Sequence, residues 1–138
     1  MSHPASLFGR KWRDSDASGN AQIDREHRGL LETMAAVEAK IRAGAEPSSV
    51  YRLLEGVVEA CTEHFANEEA IIGDSRYPEA IHHREEHAAL AARMRALMKQ
   101  HADGDLATME MLTALFYEPL VLHMVRDDRA FFPYLRVV

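Results

Sequence analysis

The stretch VYRLLEGVVEACTEHFANEEAII, residues 50–72, decides the fold. Its apolar residues Val50, Leu53, Leu54, Val57, Val58, Cys61, Phe65, Ile71 and Ile72 recur at spacings of three and four, which marks a helix with one buried face. His64 and Glu68 fall on that same face, four residues apart and so one helical turn apart. Ser48 or Ser49 offers an N-cap and Gly73 a stop.

Three further segments share the period. Before it, Ile23, His27, Leu30, Leu31, Met34, Val37 and Ile41 form a stripe that Asp24 would cap and that Gly44 with Pro47 would end. After it, a helix opening at Pro78 carries His83, His87, Leu90, Met94, Leu97 and His101 and closes at Gly104. The last segment, 106–135, carries Met109, Leu112, Phe116, Leu120, His123, Met124, Phe131 and Leu135. Pro119 lies inside it, where it removes a hydrogen bond to the Leu115 carbonyl and should kink the helix. No strand pattern or repeat is present. Four such helices with short links predict an all-α, up-down-up-down four-helix bundle over 23–138. Residues 1–22, with Pro4, Gly9, Gly19 and Asn20, read as an extended N-terminal arm anchored by Trp12.

The 138 residues fit one domain, and 47% hydrophobic residues suffice for a core. A net charge of −6 argues against a nucleic-acid binder. No apolar run is long enough to span a membrane, and the N-terminus lacks a long apolar stretch, so the expected location is cytoplasmic. Nothing specifies a protein partner, and a monomer or small homo-oligomer is expected. Cys61 is the lone cysteine, which excludes an internal disulfide and thiolate metal clusters. Histidine, by contrast, occurs eight times. A metal here would be held by imidazoles and carboxylates, a set that suits iron, copper, manganese or catalytic zinc.

His27, His64, Glu68, His83 and His87 interrupt the apolar stripes, and the fourth helix adds His123 with an acid nearby. One buried histidine is ordinarily a hydrogen-bonded core residue. Many buried titratable groups together need compensation, and a metal ion supplies it. For the acid, helical phase from His123 favours Asp127, whereas phase with Met124, Phe131 and Leu135 favours Asp128. Asp24 and Glu26 flank His27 as candidates to orient it, Asp24 equally as a cap. Suppose Glu68 and that acid bridge two irons together with an oxo or hydroxo group. Three His then complete one iron, and two His leave the other with an open position, as reversible dioxygen binding requires.

At these residues the chain resembles the hemerythrin family in its bacterial single-domain form. The resemblance rests on IDREH at 23–27, HFANEE at 64–69, Tyr77-Pro78 followed by His83 and His87, and His123 with Asp128 five positions on. Trp12 also matches. The resemblance implies that His83, His87 and His123 bind the coordinatively full iron, that His27 and His64 bind the open one, and that Glu68 and Asp128 bridge them. It implies two Fe ions and reversible dioxygen binding rather than an enzyme. Phe65, Phe116, Leu120 and Met124 are candidates, by helical position, to line the dioxygen pocket. The sequence departs from the family at 116–120, FYEPL, where an aromatic residue commonly stands a few positions before the fourth-helix His.

Rival readings use the same residues. Iron storage, redox sensing, or scavenging of peroxide or nitric oxide would employ the same centre. A zinc hydrolase would use His83-x-x-Glu86-His87, an inverted zinc signature that arises easily in a helix rich in Glu and His. It leaves His27, His64 and His123 without a role. A ferritin-like oxidase needs two Glu-x-x-His motifs; Glu79 with His82 is one, and His82 points off the stripe. His82, His3 and His101 are expected at the surface.

Overall fold

The computed structural model describes residues 11–135. Its long helices are α1 (Ala21–Arg42), α2 (Pro47–Gly73), α3 (Ala80–Gln100) and α4 (Leu106–Leu122), and no strand occurs among the described residues. α1 packs on α2 and α4, α2 on α3, and α3 on α4, so the four close into a bundle. Beyond α4 the chain forms a π turn (His123–Asp127), a 3-10 turn (Asp128–Ala130) and a short α5 (Phe132–Leu135). No described helix is long and apolar enough to cross a membrane.

The helix ends differ from expectation in detail. Asn20, not Asp24, caps α1, its side chain accepting from the Ile23 N–H at 3.0 Å. The Asp24 carboxylate instead accepts from the Ser18 N–H at 2.8 Å, tying the preceding segment to the helix. α1 thus begins two residues before the boundary assigned to the arm. Its far end is a Schellman stop: Gly44, at φ 72°, donates to the Ile41 carbonyl and Ala45 to that of Lys40. α2 begins at Pro47 with no side-chain cap, so neither Ser48 nor Ser49 serves as one. Trp12 packs against the main core with the Arg28 guanidinium 5.0 Å from its ring centre, an anchor as expected.

Two apolar clusters fill the interior. The larger spans all four helices and includes Leu30, Met34, Leu54, Val57, Cys61, Phe65, Met94, Leu112, Phe116, Leu120 and Met124. The smaller gathers Ile23, Ile72, Phe131 and Phe132. On α3 the buried stripe runs through His83, His87, Ala91, Met94 and Met98, with Leu90 and Leu97 half-buried at its edge. Ala91, not Leu90, takes the buried position between His87 and Met94.

Candidate metal centre

Each helix contributes to one buried polar layer. α1 supplies His27, α2 His64 and Glu68, α3 His83 and His87, and the segment after α4 His123 and Asp128; all seven residues are buried. The i, i+4 spacing on α2 and α3 stacks each pair one turn apart. Between His123 and Asp128 the spacing is five, and in a regular α-helix the fifth residue would point about 140° away. The π turn over 123–127 brings it back to the same side. Asp128 is fully buried against the cluster, while the Asp127 side chain stays 32% exposed, 3.6 Å from the outer nitrogen of His123. The π turn thus places Asp128, and not Asp127, in the buried layer.

The buried donor atoms fall into two overlapping groups, and a third group joins His123 to the half-buried acids Glu86 and Asp127. Glu68, His83, His87, His123 and Asp128 bring ligand atoms within 4.8 Å of one another, and so do His27, His64, Glu68 and Asp128. The two carboxylates belong to both. Contacts between imidazole Nε2 atoms and these carboxylates run from 2.8 to 3.1 Å. Two ligands held at right angles about 2.1 Å from one ion are about 3 Å apart, so the spacing suits a coordination shell. Hydrogen bonding accounts for two of these contacts, those of His27 and His83 Nε2 with Glu68 at 3.1 Å, but not for the other five. The Nε2 atoms of His64, His87 and His123 and both Asp128 oxygens are buried without a hydrogen-bond partner. Buried polar atoms without partners are costly, and cations at the shared point would satisfy them. The residues therefore fit the expected metal.

Electrostatics without a cation point the same way. Burial opposes protonation of His27 and of His83, but contacts with Asp128 and Glu68 overcome it and raise both to about 10. His123 is also raised, Asp128 again outweighing burial. Burial works against the Glu68 charge, yet four imidazoles hold its carboxyl well below the usual range. For Asp128, burial and the neighbouring Glu68 charge both oppose ionisation, and the imidazoles of His123, His27 and His83 still hold it low. The metal-free cluster thus stores positive charge as protons, where bound cations would otherwise stand.

Outer carboxylates complete the site. Glu26 lies 2.7 Å from His64 Nδ1, and Glu69 lies 3.0 Å from His87 Nδ1. Glu26 therefore orients His64 across the α1–α2 interface rather than its neighbour His27. Sequence reading missed Glu69. The available signal was an acid directly beside an inward ligand, Glu69 after Glu68.

Of the candidate pocket residues, Phe65 touches the cluster, stacking on His87 at 4.2 Å and meeting His64 and His123 at 5.9 Å. Phe116, Leu120 and Met124 are buried in the same apolar cluster as Phe65. Phe131 and Tyr77 enclose His83 from the other side, at 5.2 and 6.4 Å. His82 is exposed and pairs with Glu86 at 3.4 Å. His101 is half-buried, its ring nitrogen 2.9 Å from the Leu97 carbonyl, and His3 lies outside the described residues. Cys61 is fully buried, and burial pushes its thiol up to about 12, so it is an inert core residue.

A sequence model of the Hemerythrin HHE cation binding domain matches residues 18–135. The chain belongs to the hemerythrin family. It is similar to a bacteriohemerythrin of Stenotrophomonas maltophilia (strain R551-3), 25% identical over 120 residues that cover 87% of this chain and 77% of the relative. It is also similar to a bacteriohemerythrin of Ralstonia nicotianae (strain ATCC BAA-1114 / GMI1000), 27% identical over 119 residues that cover 86% and 83%. The hemerythrin match takes in every residue of the buried polar layer.

Proposed function

We propose that this hemerythrin-family chain holds two irons, bridged by an oxo or hydroxo group, and binds dioxygen reversibly at them as a binding protein rather than an enzyme. The observation that carries the reading is the pair of overlapping donor groups sharing Glu68 and Asp128. One group has three imidazoles and the other two, so equal shares of the bridging acids leave the His27–His64 side with fewer protein donors. When bound, the irons supply the electrons that hold and release dioxygen.

The protein's own part is geometric and electrostatic. His83, His87 and His123 would hold one iron and His27 and His64 the other, with Glu68 and Asp128 between them. Phe65 and the apolar cluster around Phe116, Leu120 and Met124 keep bulk water away from the layer. Exclusion of water strengthens the electrostatics inside and suppresses side reactions of the metal. The zinc hydrolase has less support: Glu86 pairs with His82 and lies near His123 and Asp127 rather than with His83 and His87, which join a larger donor set.

The test is metal analysis together with optical spectra of the reduced, iron-loaded protein before air, after air and after removal of oxygen. Two irons per chain and a spectral change that reverses are expected. A single metal, or a colourless loaded protein, overturns the reading.

A further inference from the structure

The carboxylates outside the donor layer are unequal. Glu26 touches His64 through Oε1, and its Oε2 accepts from the side-chain amides of Asn67 at 2.8 Å and Gln22 at 3.2 Å. Those partners are neutral, so Glu26 keeps its full negative charge beside His64. Glu69 touches His87 through Oε2, but its Oε1 lies 3.3 Å from the Arg84 guanidinium, which offsets part of the charge. Both acids sit beside an inner ligand in sequence, and each holds an imidazole of the next helix: Glu26 of α1 holds α2, and Glu69 of α2 holds α3. The third such acid, Asp127, stands 3.6 Å from His123 Nδ1, beyond hydrogen-bond reach.

An imidazole that donates its Nδ1–H to a carboxylate turns Nε2 inward and becomes a more basic ligand. We propose that Glu26 is a positioning residue that makes His64 the stronger electron donor, with Glu69 as its weaker counterpart on His87. The inference rests on the di-iron reading and adds to it an electronic difference between the two sides. The His27–His64 side, which has fewer protein ligands, is the side with the unshared outer charge. Greater donation there favours the oxidised centre and lowers its midpoint potential.

The experiment begins with iron per chain in the wild-type protein; a count below two overturns this proposal together with the reading beneath it. With two irons bound, redox titration is followed optically in wild type, Glu26→Gln, Glu69→Gln and Glu63→Gln. Glu63 is an exposed acid adjacent to His64 in sequence and controls for net charge. Glutamine can still accept the Nδ1–H, so Glu26→Gln should keep both irons and shift the potential upward. Glu69→Gln should shift it less, and Glu63→Gln should leave it in place. Glu26→Ala, which also removes the acceptor, should weaken iron binding about 10- to 100-fold. A potential in Glu26→Gln equal to that of Glu63→Gln, or a larger shift in Glu69→Gln, overturns the proposal. Arg84→Gln, at an exposed side chain, provides an arm independent of how Glu26 variants fold. Freeing Glu69 from its cation should move the potential down, and a rise or no change overturns the asymmetry.

Discussion

A carboxylate with no exposed surface is stable only if something facing it carries compensating charge or hydrogen bonds. Glu68 is such a group, and its four imidazole contacts come from α1, α2 and α3. The demand for a partner is why the inner residues were legible in sequence: a charged residue on an apolar stripe is conspicuous. His82 tests the same logic from outside. It neighbours His83 in sequence but lies exposed, about 100° around the helix. His64→Ala and Glu68→Ala should therefore lose iron, while His82→Ala retains the wild-type amount in metal analysis. Equal loss in all three would mean that the metal lies on another face. Glu69 escaped notice because a half-exposed acid on a helix reads as surface charge; only its contact across to α3 reveals its task.

Helix phase sets the limit of legibility for elements. The four helices were readable because their stripes are long and their stops chemically distinct, Gly44 above all. The boundaries were not: Asn20 reads as part of the arm and Asp24 as the cap, and only the hydrogen bonds of Ile23 N–H to Asn20 and of Ser18 N–H to Asp24 show otherwise. The fourth segment reads as one helix to Leu135, yet it opens into a π turn at His123. Neither Asp127 nor Asp128 breaks helical composition, so periodicity cannot register an inserted residue. The π turn assigns them different jobs, with Asp128 inside and Asp127 at the rim. Asp128→Asn should therefore remove a shared ligand charge and sharply reduce iron content, whereas Asp127→Asn should leave two irons bound. Iron analysis of the pair decides it, and loss in Asp127→Asn instead would place the turn's register elsewhere.

For the whole molecule, the polar layer couples folding to both protons and metal. His27 and His83, raised from 6.5 to about 10 in the folded metal-free chain, contribute stability that is complete below pH 6.5 and is lost as pH rises through about 10. Glu68 and Asp128 are lowered from 4.5 and 3.8, so their contribution is present above those values and is lost as pH falls through their folded values. The metal-free protein should accordingly be most stable between about pH 4.5 and 6.5. Iron binds only neutral imidazole, so loading must displace the protons on His27 and His83. Loading at pH 7.5 in weak buffer should release about two protons from this pair. Rising pH removes the protons that compete with iron, and this same loss is what weakens the metal-free form, so the gap between the forms widens. The difference in Tm between loaded and metal-free protein should grow steadily from pH 6 to pH 9. A gap that stays flat or narrows would mean that these imidazoles do not exchange protons for metal.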